Sequence, residues 1–302
     1  MKLPATVLLS LLLSSGVAAL ELESEAQYGF AAALLERGEY FKAVLEFERL
    51  LHFFPDDALA DDAAYHLALA YDLAGEHPTA TAAFRHFAGA YPASELLPEA
   101  RLALGRSLAL SRRYEEARRE LQELAKAAPP LATSGRAAVL RGLTYLPGDD
   151  FASARRAFDG AAQRFDADPA GVLAAELAAL SARRDELPNT SPALAGFLSG
   201  VVPGLGQAVC GRVGDGLVAL FTNGLWIGAT VWAASEEEIP TAVVTGLLGF
   251  SFYLGNIYNA GQAAVELNRR RTAALTAEIV AEVRAWETEH GTGLTLVPSQ
   301  NR

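Results

Sequence analysis

From residue 25 to about residue 166, apolar positions recur at three- and four-residue steps, and turns built around Gly or Asp interrupt them, a pattern that predicts a succession of amphipathic helices. The pattern also repeats itself. Gly38, Tyr40, Ala43, Phe47, Leu50 and Pro55 return 37 residues later as Gly75, His77, Ala80, Phe84, Phe87 and Pro92. They return again as Arg112, Tyr114, Ala117, Leu121, Leu124 and Pro129. A fourth copy reads Asp149, Phe151, Ala154, Phe158, Ala161 and Asp166, with the closing proline lost. A period of this length predicts two helices per unit. Ala43, Ala80, Ala117 and Ala154 mark a close approach of two helices, and Ala31, Ala68, Gly105 and Gly142 do the same in the first helix of each unit. Leu34, Tyr71, Leu108 and Tyr145 fill the space between helices. Pro55, Pro92 and Pro129 end the second helices, because proline breaks the hydrogen-bond ladder and biases its predecessor away from helix. One such hairpin cannot bury its apolar face alone, so four stack into a solenoid with a concave side.

This small-residue, aromatic and closing-proline pattern resembles the tetratricopeptide repeat family. The 37-residue pitch and the phrases Phe54-Pro55-Asp56-Asp57 and Tyr91-Pro92-Ala93-Ser94 are similar to repeat proteins of Gram-negative envelopes, among them the Tol-Pal coordinator and the barrel-assembly lipoprotein. In this family set positions of each first helix line the groove. The matching residues are Tyr28, Tyr65, Leu102 and Val139, then Ala32, Leu69, Arg106 and Leu143. Most are apolar, so the Lys/Asn clamp that grips a terminal carboxylate in chaperone-binding members is absent. The resemblance implies a hydrophobic peptide or helix of an envelope protein as partner. The competing reading is that these residues pack against neighbouring helices.

Beyond a leading helix at about 168–186 and the linker Leu187-Pro188-Asn189-Thr190-Ser191-Pro192, the material changes. Residues 192–265 carry only Arg212, Asp215, Glu236, Glu237 and Glu238 as charges, and hold 13 of the 26 glycines. Three uncharged stretches, 193–211, 216–234 and 239–265, predict a small helical membrane domain of two or three spans; a buried soluble bundle is the alternative. With the repeats exported, three passes place Arg212 inside, the Glu236–Glu238 loop outside and Arg269-Arg270-Arg271 inside, as the positive-inside rule prefers. Two passes leave the triple arginine outside. Pro203 and its glycines weaken the first span and make it a re-entrant candidate.

Within that region Pro203-Gly204-Leu205-Gly206-Gln207, followed by Gly211, resembles the P-G-x-G-Q-x-Y-x-G signature of small bacterial membrane domains, with Val209 where the family shows Tyr. Gly255-Asn256-Ile257-Tyr258-Asn259 looks like their second-helix signature. The glycines permit a tight turn, and Gln207 can satisfy freed backbone groups. After Val265, Leu275, Ile279, Val283 and Trp286 form one stripe of an amphipathic helix suited to a membrane surface or a partner, and a short polar tail follows.

At the other end, residues 1–19 carry Lys2, a leucine-rich run and Ser14-Ser15-Gly16-Val17-Ala18-Ala19, the order of a secretory signal; an uncleaved anchor is the alternative. Charge and chemistry narrow the function. The 25 Lys and Arg against 36 Asp and Glu, a net −11, speak against nucleic acid, whose phosphates demand cations. One cysteine, Cys210, permits no intrachain disulfide and no multi-cysteine metal site. The five histidines form no H-E-x-x-H, and no phosphate loop follows Gly204. The expectation is an all-α, non-enzymatic protein without cofactor. Its repeats at 25–166, capped by 167–191, are displayed in the periplasm by a membrane region at 192–265, with the amphipathic segment 266–302 behind. The inner membrane is favoured, because helices and not a barrel cross it. Its role is a scaffold for envelope assembly, or a subunit of a transport or lipid-handling complex; self-association of the repeats is a third reading.

Overall fold

The computed structural model describes residues 23–126, 131–291, 294 and 296. The signal-like segment and Pro129 lie outside the described residues, as does nearly all of the polar tail. Among the described residues every regular element is helical and there is no strand. The chain divides into two compact units. One holds the helices up to Thr144 together with Gly160–Val172, and the other holds Tyr145–Asp159 with Leu173–Glu289. The two therefore part within the helices of 151–182 and not at the linker 187–191.

In the first unit α1 (Ser24–Glu36), α2 (Tyr40–Phe53), α3 (Ala60–Leu73), α4 (His77–Ala90), α5 (Leu97–Leu110), α6 (Tyr114–Lys126) and α7 (Leu131–Leu143) follow in order. Each packs on the next, and the first helices also touch in series, α1 on α3, α3 on α5 and α5 on α7. These are the expected tandem hairpins. Ala43, Ala80 and Ala117 are fully buried, as are Phe47, Phe84, Leu50, Phe87 and Leu121 at the positions that the period aligns. Gly105 makes the closest approach: a Cβ there would lie 2.4 Å from a Leu121 methyl. Second helices stop at Phe53 and Ala90, two residues before Pro55 and Pro92, because Phe54 and Tyr91 leave the helical region as residues before proline do.

The hairpin turns share one geometry. Gly38, Gly75, Arg112 and Asp149 all have positive φ, between 56° and 84°. In the first, Glu39 N–H bonds Leu34 O (2.9 Å) and Gly38 N–H bonds Leu35 O (3.0 Å), and the same pair of bonds recurs at 37-residue intervals. That is the glycine-type helix stop, with its carbonyls satisfied by the left-handed residue and its successor.

The fourth copy is completed by a 3₁₀ turn, Leu146–Gly148, and α8 (Phe151–Arg164), followed by α9 (Pro169–Ala182). The second unit goes on through α10 (Pro192–Val201), α11 (Leu205–Val209), α12 (Val213–Ser235) and α13 (Ile239–His290). Two sequence expectations are corrected here. The first uncharged stretch is not one span: α10 reaches only about 15 Å at 1.5 Å per residue. The chain then reverses at Val202–Gly204, so Cys210 packs with Ala195, Ala260, Ala263 and Ala264, at the level of α13 where α10 began. The amphipathic segment is not a separate helix either. Nothing between residues 239 and 290 breaks the ladder, and α13 runs 52 residues, about 78 Å. Its stripe of Leu275, Ile279 and Val283 is buried by the protein itself and so is not free to lie on a membrane. Two helices, α12 and α13, are long and apolar enough to cross a membrane.

Candidate functional site

The second unit builds its most organised site at the reversal after α10. Ser191 caps α10 by accepting from Leu194 N–H at 3.2 Å, and Val202 turns extended. Gly204 then takes φ +88°, where a Cβ would sit 1.9 Å from Gly216 O. A Cβ on Gly206 would sit 1.9 Å from Ala195 O. Only glycine permits these two contacts, which bring α10, α11 and α12 together backbone to backbone. Gly211, at φ +79°, closes α11, and Pro203 is half-buried in the turn.

A ring of hydrogen bonds fills the reversal. Ser199 Oγ donates to Gln207 Oε1 (2.6 Å) and accepts from Gly206 N–H (2.9 Å). Gln207 Nε2 donates to Asn256 O (3.1 Å) and Asn256 Oδ1 (2.9 Å). Asn256 Nδ2 closes the ring on Ser199 O at 3.0 Å, and Tyr253 O–H donates to Gly200 O. Ser199, Gln207 and Asn256 are all buried. Buried polar groups rigidify a site when all are paired, and this ring pairs them. The two motifs that sequence reading singled out separately are thus one contact, Gln207 to Asn256, across 49 positions. Gly255 and Tyr258 stand outside it. Tyr258 is exposed, and nothing lies within 4 Å of where a Gly255 Cβ would be.

Beside the ring a cleft of about 570 Å³ opens between α12 and α13, within the range of small-molecule sites. Gln207 and Asn256 form its back, Thr222 and Asn223 line it from α12, and Ser251, Gly255 and Asn259 line it from α13. Arg212 and Asp215, an ion pair on the first turn of α12, stand at one end. Phe252, which stacks on Trp226 with centroids 5.6 Å apart, stands at the other. Asn223 is buried, its Nδ2 donates to Ala219 O (2.7 Å), and its Oδ1 has no partner. Asn223, Thr222 and Ser251 were not picked out as a site from sequence. Thr222 and Ser251 leave no local signal, whereas an amide such as Asn223 or Asn259 in an uncharged run does, because it is too costly to face acyl chains.

In the repeat unit the expected groove residues separate into two groups. Leu102 and Val139 are buried within the chain's own packing, as is Leu143, so a ligand cannot touch them without repacking. Tyr28, Tyr65, Leu69, Ala32 and Arg106 are half-buried. Tyr28 O–H is 3.2 Å from His66 Nδ1, and Tyr65 packs edge-on against Phe87. Burial raises the pKa of both tyrosines, so both stay neutral O–H groups. Arg106 is committed inward. It pairs with Asp72, which also takes Ser107 Oγ at 2.7 Å and lies 3.0 Å from His77 Nδ1. Burial works against the Asp72 charge, but the bond to His77, the Arg106 guanidinium and Ser107 outweigh it and hold the carboxyl below its usual range. An apolar cleft of about 520 Å³ lies where α2, α3 and α4 meet, lined by Leu51, Pro55, Ala64, Leu67, His86 and Tyr91 among others. First-helix groove positions did not lead to it. Among the described residues no three His, Cys, Asp or Glu side chains are placed to hold a metal.

Comparison with known proteins adds the following. The chain is similar at residues 62–94 to the tetratricopeptide repeat model. No curated protein matches. Two solved structures are similar. A Pseudomonas aeruginosa protein from a study of pilF is 19% identical, with 80% of this chain and 96% of that chain covered at a TM-score of 0.41. A tetratricopeptide repeat protein of Parabacteroides merdae is 12% identical, with 79% and 98% covered at 0.44. The fold is all-α with tandem helical hairpins, the segment 62–94 among them is similar to a tetratricopeptide repeat, and repeats of that family imply a protein-interaction scaffold.

Proposed function

We propose that this chain is a non-enzymatic, membrane-anchored scaffold of the bacterial cell envelope, whose repeats hold an apolar helix or peptide of another envelope protein. The observation that carries the reading is the pairing of a stacked repeat unit with two apolar helices whose outer faces are bare. In the second unit Phe221, Leu225 and Phe197 are about 70% exposed, an arrangement that water penalises and hydrocarbon does not. The repeat surface offered to the partner comprises Tyr28, Tyr65 and Leu69, together with the cleft between Leu51, Leu67 and Tyr91. Photo-crosslinkers placed at Leu69 and Leu67 in cells test it: both are expected to trap one envelope protein, and trapping of lipid or of nothing overturns the reading.

With α10 and α11 as a re-entrant hairpin, α12 and α13 are the two spans. The repeats, Arg212 and Arg269–Arg271 then share one side of the membrane, and Glu236–Glu238 lie on the other. The signal-like order of residues 1–19 supports a repeat side outside the cytoplasm. The arginines on that side run against the positive-inside rule, but a long domain translocates regardless of charge. Single cysteines in a Cys210→Ser background read the arrangement through an impermeant maleimide applied to spheroplasts. E95C and E289C are expected to react alike and E237C to be protected. A difference between E95C and E289C overturns the two-span arrangement. A second reading, a subunit that handles lipid or solute, is favoured by one observation, the polar cleft between α12 and α13.

A further inference from the structure

The cleft between α12 and α13 poses a problem that hydrocarbon cannot solve. Asn223 lies eleven residues into a 23-residue apolar helix, is 97% buried, and leaves its Oδ1 without a partner. An unpaired amide oxygen of this kind is expensive in lipid, and a polar side chain at such depth points to a site. Thr222, Ser251 and Asn259 line the same space. Gly255 is the second observation. Its φ is ordinary and no atom stands within 4 Å of a Cβ built there, so neither backbone strain nor close packing demands a glycine. In a helix interior glycine is unfavourable relative to alanine. The missing side chain keeps the cleft open.

We infer that this cleft binds the headgroup of a phospholipid that bears a hydrogen-bond donor, an amine or a hydroxyl, drawn in beside the re-entrant hairpin. The cleft end with Arg212 supplies a cation for the phosphate, in exchange with Asp215, to which that guanidinium is paired. Deeper in, Asn223 Oδ1 accepts from the headgroup donor, with Ser251 lining the same part of the cleft. The acyl chains leave sideways across Val218 and Phe252, both exposed on the outer surface. A quaternary ammonium offers no donor to these oxygens and is the chemistry the cleft refuses. This inference rests on the membrane placement proposed above.

The test is native mass spectrometry of the full chain, extracted in mild detergent and supplied in turn with phosphatidylethanolamine, phosphatidylglycerol and phosphatidylcholine. The first two are expected to be retained about tenfold more than the third. Asn223→Leu removes the acceptor, and Gly255→Phe, whose Cβ has no atom within 4 Å, projects a ring into the cleft; each is expected to abolish the difference. Gly224→Phe, where the space outside the glycine is equally empty and lies away from the cleft, is expected to leave it intact. Equal retention of phosphatidylcholine, or full retention by Gly255→Phe, overturns the inference while leaving the membrane placement standing. A mature chain found in the supernatant of a detergent-free lysate overturns the placement itself.

Discussion

Large apolar side chains and polar side chains exchange places between the two units. In the repeats Phe47, Phe84 and Phe87 are fully buried and most charged residues face outward, Asp72 against Arg106 being a buried exception, although Phe30, Phe41 and Phe53 stay exposed there. In α10 to α13 of the second unit Phe197, Phe221, Phe250 and Leu225 face outward and Ser199, Gln207, Asn223 and Asn256 are buried, while Phe158, Leu173 and Leu177 of the same unit are buried as in the repeats. On the membrane placement proposed above, both follow one rule, that a group is placed where its surroundings solvate it, with lipid as the outer solvent of the second unit. The repeat core is held by removing apolar surface from water. On that placement the core around the reversal gains nothing of that kind and is held by backbone contact at glycines and by a closed polar ring.

The sharpest way to break the comparison is therefore at the glycines. Gly206→Val puts a branched side chain into the Ala195 carbonyl, and Gly204→Val adds a strained φ to a clash with Gly216 O. Either is expected to abolish the folded second unit, read as loss of a protease-resistant fragment in detergent. Gly224→Val and Gly228→Val, with open space around them, are expected to leave the fragment unchanged. Should the two pairs behave alike, close backbone approach is not what holds this unit together.

Asp72→Ala comes next. It leaves the half-buried Arg106 without its partner, and breaking a fully buried pair from one side costs about 3–5 kcal/mol, an upper bound here because the guanidinium keeps some water. Urea titration of hydrogen-exchange protection in α3 to α6 of the full chain measures it. The same group sets an acid limit. Its folded pKa lies below the unfolded value of about 3.9, so its contribution is complete above about pH 5 and is lost as pH falls through that value and then through the lower folded one. Asp72→Asn is expected to flatten that slope, and an unchanged slope means other carboxyls carry it.

Gln207→Leu tests the polar ring in the same terms. It unpairs Ser199 and Asn256 in a dry interior, and each buried polar group left unsatisfied costs about 1–3 kcal/mol. A shift in the detergent unfolding midpoint of the second unit is expected, smaller than the Asp72→Ala effect because no charge is stranded. A stabilised variant shows that the ring serves a ligand and not the fold.

How far these features were legible in the sequence follows from the range of the interactions. The hairpins are local, so the 37-residue period, the buried alanines at 43, 80 and 117 and the helix stops before Pro55 and Pro92 could be read directly. The reversal after α10 could be read only as a re-entrant alternative at Pro203. A 19-residue uncharged run has the length of a span, and only the contacts of Gly204 with Gly216 and of Gly206 with Ala195, invisible in sequence, show it folding back. The Gln207–Asn256 contact joins residues 49 apart, so each motif looked complete alone. The change of composition after Val265 reads as a boundary, but α13 runs through it, because helix continuity is set by backbone bonding and not by side-chain polarity. Leu102 and Val139 occupy groove positions by alignment, but the chain's own packing closes over them.

The smallest effect concerns what the two units share. Arg112 and Glu237 both have φ near +60°, one in a repeat turn and one in the loop between α12 and α13. Both close a helix with the same pair of bonds: Arg113 N–H to Leu108 O with Arg112 N–H to Ala109 O, and Glu238 N–H to Ala233 O with Glu237 N–H to Ala234 O. Glycine already holds this position at Gly38 and Gly75 and adopts the left-handed region without a Cβ penalty. Arg112→Gly and Glu237→Gly are each expected to stabilise their own unit by about 0.5–1 kcal/mol, and Asp149→Gly by less, because aspartate tolerates this conformation better than arginine or glutamate. Matching gains at Arg112 and Glu237, measured unit by unit in the full chain, place the contrast between the units in their cores alone. A gain at Arg112 with none at Glu237 extends the difference to the turns, and locates the Glu236–Glu238 loop in surroundings unlike those of the repeats.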